Sequence, residues 1–306
     1  MVRLTTMVRR LLALAGLWMG AALTGTAAAS SYILPEPGNS LVGEPIGMTV
    51  TYEDRFATLA VRYDLGFEEL RHANPGVDPW IPGEGAHVVL PTQYLLPPGP
   101  RSGVVINLAE YRLYYYPKNG GTVYTFPIGI GRTGFKTPQA STRIVAKIVN
   151  PTWYPTASAR KEHLEIGDKL PPAVPPGPDN PLGDLALQLA LPSYFVHGTN
   201  KPFGVGQRVS HGCVRLYPTD IHTLADSAPV GTKVRIIDEP YKLGWNNGVL
   251  YLEVHPPLDG EPDFKALTGM IERATAHRKV VVDWARVEEM ARASTGMPGP
   301  VSARPL

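Results

Sequence analysis

The sequence at residues 210–215 reads Ser-His-Gly-Cys-Val-Arg and contains the only cysteine of the 306 residues, Cys213. A second histidine lies upstream, where residues 197–200 read His-Gly-Thr-Asn. A thiol becomes a good nucleophile at neutral pH when an imidazole can take its proton. We therefore interpret Cys213 as a nucleophile. The alternative is a small buried hydrophobic side chain, which is what most free cysteines are.

Two histidines compete for the role of base. His211 precedes Cys213 by two residues, so in an extended chain their Cα atoms lie roughly 6–7 Å apart. His197 is predicted on a separate strand, and cross-strand neighbours approach to about 5 Å between Cβ atoms, which makes His197 the better candidate. His211 and the backbone amides of Gly212 and Cys213 are predicted to line the oxyanion position. The alternative for His211 is a structural histidine that closes the turn.

A metal site is the other reading of these side chains. His197, His211 and Cys213 supply three ligands, which is the number that a catalytic zinc site requires. Their spacing matches no common zinc pattern, and the clustering of CxxC or HExxH motifs is missing from the sequence. We therefore predict neither a metal nor a cofactor.

The N-terminal residues have the pattern of an export signal. Three arginines within the first ten residues precede an apolar stretch at 11–23, and Ala27-Ala28-Ala29 follows. Signal peptidase cleaves after such small residues, so residues 1–29 are predicted to be a signal peptide and Ser30 the new N-terminus. The apolar stretch is shorter than the ~20 residues that span a bilayer. The adjacent arginines leave Sec and Tat export both open.

Composition limits the fold and the partners. The 29 Lys+Arg and 27 Asp+Glu residues give a net charge of +2, so no electrostatic footprint for nucleic acid is present. The 32 prolines are about twice the usual share of ~5 %. So much proline favours short strands joined by ordered loops over long helices. The ~275 residues after the signal suffice for two compact units.

The first unit is predicted at residues 46–91 in the order strand, helix, helix, strand. Phe56, Leu59, Ala60 and Tyr63 have the spacing of one helix face, and Asn74-Pro75-Gly76 ends the second helix. A proline-rich linker follows at 91–100. This unit is too small to hold a catalytic cleft of its own.

Residues 102–238 are predicted to be mainly β, because short alternating strands separated by turn signals are typical of a sandwich or barrel. A helix is predicted at 219–227 with Thr219 as its N-cap. Residues 155–181 carry seven prolines and few apolar side chains, which predicts a long loop that grips the substrate as a flap. Amphipathic helices are predicted in a C-terminal extension at 239–295, and a disordered tail at 296–306.

The motifs together resemble the L,D-transpeptidase family. The His-Gly-Thr-Asn run, the Ser-His-Gly-Cys-Val-Arg run and the thirteen residues that separate His197 from His211 are similar to its signature, and the similarity extends across 102–238. The stretches at 177–183 and 248–255 resemble the subgroup that attaches Braun-type lipoprotein to peptidoglycan. The resemblance implies a mostly β catalytic domain of sandwich type, with Cys213 as nucleophile and His197 as acid/base.

Further site residues follow from this resemblance. It implies that the carbonyl of Gly198 is the third member of the triad. It implies that Arg215 holds the turn or a substrate carboxylate, the alternative being a buried ion pair. Gly212 lets the backbone approach the substrate. The remaining motif residues are interpreted as substrate-binding: Ser210, Thr199 and Asn200.

The first unit resembles a LysM module. Thr58-Leu59-Ala60, Ala73-Asn74-Pro75-Gly76 and Ile81-Pro82-Gly83 carry the similarity. It implies that the unit binds the N-acetylglucosamine-containing glycan of peptidoglycan. The alternative is a small capping domain without a ligand. The whole chain is thus predicted to be mainly β, with a βααβ LysM-like domain, a β-sandwich catalytic domain and a C-terminal helical extension.

The reaction that the resemblance implies is acyl transfer in the periplasm. The thiolate attacks the L-configured third residue of a tetrapeptide stem, D-alanine leaves, and an amine resolves the thioester. The amine belongs to another stem or to a lysine of an outer-membrane lipoprotein, and water would make the enzyme an L,D-carboxypeptidase. A non-catalytic, glycan-binding wall protein is the alternative from another functional class.

Overall fold

The computed structural model describes residues 30–303. The predicted signal peptide at 1–29 and the last three residues, 304–306, lie outside the described residues. Within residues 30–303, no helix combines the length and the apolar character that crossing a membrane requires.

The described chain is built mostly from short strands, with six α-helices and one short 3-10 helix at Pro202–Gly204. In chain order the strands are β1 (Ser30–Ile33), β2 (Leu41–Gly43), β3 (Ile46–Thr49), β4 (His87–Leu90), β5 (Gln93–Leu95), β6 (Gly103–Asn107), β7 (Arg112–Tyr116), β8 (Thr122–Pro127), β9 (Ile130–Gly131), β10 (Ala140–Val149), β11 (Leu185–Leu189), β12 (Phe195–His197), β13 (Arg208–Ser210), β14 (Val214–Arg215), β15 (Lys233–Ile237), β16 (Tyr241–Asn246), β17 (Val249–Val254) and β18 (Gly299–Pro300). The helices are α1 (Phe56–Tyr63), α2 (Phe67–Ala73), α3 (Ala157–Glu165), α4 (Pro218–Ser227), α5 (Phe264–Thr275) and α6 (Trp284–Ala293).

The catalytic part is one curled sheet of nine strands in the order β1-β8-β7-β6-β15-β10-β11-β12-β14. Residues 102–238 are mainly β, as predicted, but two separate layers of a sandwich are not found among the described strands. The reason lies in β10, which pairs with β15 through residues 140–143 and with β11 through residues 144–149. Its register shifts between Ile144 and Ala146. Such a bulge bends a strand, so the two halves of the sheet curl round one core.

The core of this sheet lies inside the curl. Val104, Leu113 and Phe126 come from one half of the sheet and pack in the same apolar cluster as Leu187 and Val214 from the other half. Helix α4 closes the cluster. Its N-cap is Tyr217, with Pro218 in the first turn, so the prediction of Thr219 as N-cap is wrong. Proline suits that position because its fixed φ is already helical and its missing N–H needs no partner there.

The first unit has the predicted order of strand, helix, helix and strand in β3, α1, α2 and β4. The side chain of Asn74 ties α2 to β4, because its amide donates to the carbonyls of Leu70 and Val89 at 2.8 Å each and its oxygen accepts from the Val89 N–H at 2.7 Å. The segment at 91–100 is more than a linker, since β5 within it pairs with β2.

This first unit packs directly on the catalytic part. The N–H groups of Phe67 and Glu68 donate to the carbonyls of Val205 and Gly206 at 3.4 and 3.2 Å. The backbones come so close there that a Cβ on Gly206 would lie 2.3 Å from the Cα of Gly66. The two units are therefore joined along backbone surfaces, not only through the connecting chain.

The proline-rich segment at 155–181 contains a helix that the sequence did not predict. Helix α3 has Thr156 as its N-cap, whose hydroxyl accepts from the N–H of Ala159 at 3.2 Å. Most side chains of α3 are exposed and Ala159 is its one buried residue. An amphipathic pattern was therefore missing from the sequence, and the prolines on both sides suggested a loop.

The residues after 239 form a second small layer. Strands β16, β17 and β18 make a three-stranded sheet, and α5 and α6 contribute Leu267, Ile271 and Val287 to its apolar cluster. The prediction of a disordered tail at 296–306 is wrong for residues 296–303. Val301 is fully buried, and the hydroxyl of Ser302 accepts from the N–H of Leu250 at 2.9 Å. The burial of Val301 and the pairing of β18 with β17 hold this segment in place despite its glycine and proline residues.

A buried ion cluster connects this C-terminal layer to the rest. The ammonium of Lys242 lies 2.5 Å from a carboxylate oxygen of Glu110 and 2.6 Å from one of Glu253, and it donates to the carbonyl of Leu95 at 2.7 Å. Glu253 also accepts from His255 at 2.7 Å. Because these residues come from the linker, the catalytic part and the C-terminal layer, the cluster fixes all three together.

Candidate active site

Two neighbouring parallel strands bring Cys213 and His197 together. Strand β12 pairs with β14 so that Val196 faces Val214 and His197 faces Arg215. Cys213 directly precedes β14. Since side chains alternate between the faces of a strand, those of His197, Cys213 and Arg215 lie on the same face. The expected position of His197 on a strand beside the cysteine is what the structure has.

The imidazole of His197 is buried, with 3 % of its surface exposed. Its Nδ1 lies 2.6 Å from the carbonyl oxygen of Gly198. A carbonyl only accepts, so Nδ1 carries the proton and Nε2 keeps its lone pair. Burial, together with the positive charge of Arg215, lowers the pKa of His197 to about 4. At neutral pH this side chain is therefore an uncharged base.

The thiol of Cys213 is partly exposed, and its Sγ lies 3.6 Å from the carbonyl oxygen of Ser193. Burial raises the pKa of Cys213, against a hydrogen bond from the backbone of Phe195 and the charge of Arg215, which lower it. The resting pair is thus a neutral thiol and a neutral imidazole, and not a thiolate with an imidazolium.

Arg215 supplies the positive charge of the site. Its Nε is buried without a hydrogen-bond partner, and no carboxylate of residues 30–303 lies within ion-pairing distance of it. The alternative of a buried ion pair is therefore not what the described residues show. An unpaired guanidinium beside a thiol favours the thiolate and disfavours a protonated imidazole, since charges interact strongly at low dielectric.

The turn that carries the cysteine is held from inside by Ser210. Its hydroxyl donates to the carbonyl of Cys213 at 2.6 Å and accepts from the N–H of Gly212 at 3.1 Å. Gly212 has a φ of +108° and its carbonyl accepts from Thr137 at 2.8 Å. The amide of Gly212 is thus already committed, contrary to its expected place in the oxyanion hole. That expectation remains for the amide of Cys213.

Two residues interpreted as substrate-binding have other contacts. Thr199 is buried, and its hydroxyl accepts from the N–H of Lys201 at 2.9 Å. The side chain of Asn200 donates to the carbonyl of Pro178 at 2.9 Å, which ties the end of β12 to the proline-rich segment. Like Ser210, these side chains shape the loops around the cysteine. Gly198 is also confined, because a Cβ there would lie 3.1 Å from Ile221 of α4.

His211 is held by residues that the sequence analysis missed. Its Nε2 lies 2.8 Å from a carboxylate oxygen of Glu162 and 3.0 Å from Nη2 of Arg132, and Glu162 and Arg132 form an ion pair. The ring of Phe135 packs edge-on against the imidazole at 4.7 Å between centroids. Hydrogen bonds from Arg132 and His211 lower the pKa of Glu162 to about 2. No sequence signal pointed to Glu162, because it lies 49 residues before His211.

Among the described residues, the side chains close enough together to bind a metal ion are not those of the cysteine motif. The one group of His, Cys, Asp and Glu atoms close enough to share an ion is Glu110, Glu253 and His255. The ammonium of Lys242 lies within 2.6 Å of both of these glutamates. His197, His211 and Cys213 do not form such a group among residues 30–303.

An uncharged imidazole on β12 and a thiol directly before the neighbouring strand β14 are the kind of pair that a cysteine-dependent acyltransferase uses. The sequence model of the YkuD family, described as the L,D-transpeptidase catalytic domain, matches residues 101–236. The chain belongs to the L,D-transpeptidase family and is an L,D-transpeptidase.

Similar proteins support this assignment. The probable L,D-transpeptidase ErfK/SrfK of Salmonella typhimurium is 42 % identical over 287 residues, which are 90 % of this chain and 92 % of that protein. The probable L,D-transpeptidase YbiS of Escherichia coli K12 is 42 % identical over 289 residues, 89 % of this chain and 92 % of that protein. The solved structure of the Ldtfm-avibactam carbamoyl enzyme covers 50 % of this chain and 56 % of that chain at 19 % identity, with a TM-score of 0.37. The assignment rests on the two relatives.

Proposed function

We propose that Cys213 is the nucleophile of a periplasmic peptidoglycan L,D-transpeptidase and that His197 is its general base. The observation that carries this proposal is the hydrogen bond of His197 Nδ1 to the Gly198 carbonyl at 2.6 Å. It fixes the tautomer in which Nε2 can take the thiol proton as Sγ turns from the Ser193 carbonyl to the acyl donor. Arg215 stabilises the thiolate that forms.

The acyl donor is a tetrapeptide stem. The thiolate adds to the carbonyl of the L-configured third residue, and the backbone amide of Cys213 is the proposed hydrogen-bond donor to the oxyanion. The departing D-alanine amine takes the proton from His197, and a thioester remains. His197 then removes a proton from the acceptor amine as this amine attacks, and the thiol is restored. Water in place of the amine would give an L,D-carboxypeptidase.

A β-lactam acylation experiment tests the nucleophile. A carbapenem should add one covalent adduct to the full chain, and Cys213→Ala should show no gain in mass. His197→Ala should acylate about 10²–10⁴-fold more slowly, which is the usual contribution of a general base. An unchanged rate in His197→Ala would move the base role to His211.

The first unit is proposed to bind the glycan, on the basis of its similarity to LysM modules and its surface. Tyr52, Trp80 and Ile81 are exposed there by 72, 62 and 66 %, and aromatic faces with polar edges suit partly wet binding surfaces. Trp80→Ala should reduce co-sedimentation with sacculi. Trp284→Ala, which removes an exposed indole from the C-terminal layer, should not. Equal sedimentation of both variants and the unchanged protein would make the unit only a cap.

The acceptor is proposed to be a lysine of an outer-membrane lipoprotein, ahead of a second stem. This rests on the subgroup resemblance at 177–183 and 248–255. In the second of these stretches Glu253 and His255 belong to the buried ion cluster, so residues 177–183 carry the argument about the acceptor. Deletion of the gene should abolish wall-bound lipoprotein and leave stem-to-stem cross-links intact. Loss of cross-links alone would contradict it.

Export is proposed to end with cleavage between Ala29 and Ser30. The pattern of three arginines, an apolar stretch and Ala27-Ala28-Ala29 supports this position. N-terminal sequencing of the protein recovered from the periplasm should begin at Ser30.

A further inference from the structure

The first described residue, Ser30, lies where the main sheet meets the first unit. It begins β1 and faces Thr125 of β8 in the main sheet. Its backbone nitrogen donates to a carboxylate oxygen of Asp64 at 3.1 Å, and its hydroxyl lies 3.4 Å from the same oxygen. Asp64 belongs to the first unit, so this contact connects the N-terminus to that unit.

Asp64 is an unusual residue for its position. It ends α1 with a left-handed φ of 55°, where glycine or asparagine is more common. A negative charge at the carboxyl end of a helix is also unfavourable with respect to the helix dipole. The side chain is buried, with 2 % exposed, and its Oδ1 has no hydrogen-bond partner among the described residues. Such a group calls for a positive partner.

The surrounding charges do not supply enough positive partners. Asp64, Asp220 and Glu69 are three acids around one guanidinium, that of Arg112. Arg112 is already committed, because it donates to both carboxylate oxygens of Glu69 at 3.2 and 2.6 Å and to the hydroxyl of Thr125 at 2.8 Å. Asp220 is fully buried, and its Oδ2 also has no partner in residues 30–303. The acids of this cluster therefore outnumber the cations among the described residues.

The pKa shifts of Asp64 and Asp220 agree with this excess of acids over cations. Burial raises the pKa of Asp64, and burial and the charge of Asp64 raise the pKa of Asp220 well above its usual value. The two carboxyl groups thus lie close enough for the charge of Asp64 to raise the pKa of Asp220. Without a second cation, the pair therefore retains a proton in the folded chain.

We propose that removal of the leader supplies a second cation, because it turns the backbone nitrogen of Ser30 into an α-ammonium that forms a partly buried ion pair with Asp64. The inference rests on the proposed cleavage between Ala29 and Ser30. Water adds across that amide bond in the peptidase reaction: its hydroxyl goes to the carboxyl of Ala29, and the Ser30 nitrogen leaves as an amine. The amine takes up a proton, since a free α-amino group has a pKa near ~7.7–8.0.

The ion pair can form only after the leader has been cleaved, so it stabilises the mature chain and not the precursor. In the precursor the Ser30 nitrogen is a neutral amide with one N–H, which it donates to Asp64. In the mature chain the ammonium has three N–H donors, enough for the second oxygen of Asp64 and for Asp220 beside it. Asp220 lies in the first turn of α4, whose Ile221 packs against Gly198. Cleavage therefore tightens the first unit onto the catalytic part next to the residue that orients His197.

The test compares two chains that end at residue 306, one beginning with a free Ser30 and one that keeps Ala29. Each is made with Asp64 and with Asp64→Asn, and the unfolding equilibrium is measured in urea. Keeping Ala29 should raise the unfolding constant about ten- to hundredfold when Asp64 is present, as for a hydrogen bond to a charged group. It should change it by less than about twofold in Asp64→Asn. Asp226→Asn, an exposed acid on α4, should retain the full difference.

Equal stability of the two chains with Asp64 present would overturn the proposal, and so would an equal difference in Asp64→Asn. If Asp64→Asn does not fold, NMR titration of the labelled α-amine in the mature chain decides. Its pKa should lie above the usual value, and a usual or lower pKa would contradict the ion pair. These chains have defined termini, so a failure here is distinct from a failure of the proposed cleavage, which N-terminal sequencing of the exported protein would show.

Discussion

At the scale of single residues, burial acts on Cys213 and His197 in opposite directions. It lowers the pKa of His197 to about 4 and raises the pKa of Cys213. Both shifts favour the neutral form of the group. We therefore expect the proton to pass from Cys213 to His197 only when the substrate binds. A resting thiol of this kind is protected from oxidation, which attacks thiolates.

The pH dependence of alkylation follows from these shifts. We expect the reaction of Cys213 with iodoacetamide to be slow at neutral pH and to accelerate as the pH rises above the usual range for cysteine. Carbapenem acylation should persist as the pH falls through 6.5, the usual pKa of His197, and decline only near pH 4, because the neutral base is retained down to that pH. A flat, fast alkylation rate between about pH 5 and pH 8 would instead show a thiolate–imidazolium pair.

Glu162 is expected to position His211 and the segment that carries α3. Glu162→Gln removes the charge that pairs with Arg132, and we expect kcat/KM on a tetrapeptide donor to fall about tenfold through misplacement of the flap. Glu165→Gln changes an exposed acid on the same helix and should leave kcat/KM unchanged. Iodoacetamide alkylation of Cys213 should be equal in both variants. A loss of alkylation in Glu162→Gln would indicate damage to the fold.

The pKa of the Glu162 carboxyl is lowered in the folded chain, so its contact with His211 and Arg132 weakens in acid. Since the folded pKa of Glu162 is about 2, below its usual value of 4.5, the contact is fully present above pH 4.5 and is lost as the pH falls toward 2. Proteolysis within 155–181 should therefore accelerate in that window, measured with an acid-active protease.

At the scale of elements, the contact between Gly66 and Gly206 decides how the first unit sits. Gly206→Ala would place a Cβ 2.3 Å from the Cα of Gly66. Gly231→Ala is the matched control, because Gly231 also has a positive φ, +91°, but nothing lies within 4 Å of its Cβ position. We expect Gly206→Ala to lower the free energy of unfolding by about 1–3 kcal/mol more than the control. Equal losses in urea unfolding would show that the interface adapts.

The elements also mark where sequence reasoning succeeds and fails. The alternation of apolar residues predicted that 102–238 is mainly β, and the helix spacing of Phe56, Leu59 and Ala60 predicted α1, because these signals are local. The bulge in β10 that turns a sandwich into a curled sheet depends on two partner strands at once. Helix α3 buries almost nothing, so its only signal was the cap at Thr156.

The site shows the same division. The nucleophile and its base were predicted from motif residues that lie close together in sequence, and the roles themselves stay predictions. Glu162 and Asp64 could be identified only from the fold. Glu162 is 49 residues from its partner His211 in the sequence, and Asp64 is 34 residues from its partner Ser30. Tertiary contacts between charged residues leave no periodic pattern, and a buried acid looks like a solvated one in sequence.

At the scale of the whole molecule, Lys242 connects the linker, the catalytic part and the C-terminal layer. Lys242→Met should lower the free energy of unfolding by about 3–5 kcal/mol, because Glu110 and Glu253 would remain buried without their cation. Adding Glu110→Gln and Glu253→Gln should recover part of this loss. Lys233→Met, which changes an exposed lysine of β15, should cost under about 0.5 kcal/mol. A loss below about 1 kcal/mol for Lys242→Met in calorimetry or urea would contradict this view.

The backbone contact of Gly66 with Gly206 has a consequence for how the enzyme works on a polymer. Two bodies that touch through glycine backbones have no long side chains between them to bend, so they turn and shift as one piece. If the first unit grips a sugar strand, the thioester at Cys213 stands at a constant offset from that grip. The enzyme would then select peptide stems by their distance from the sugars that the first unit binds.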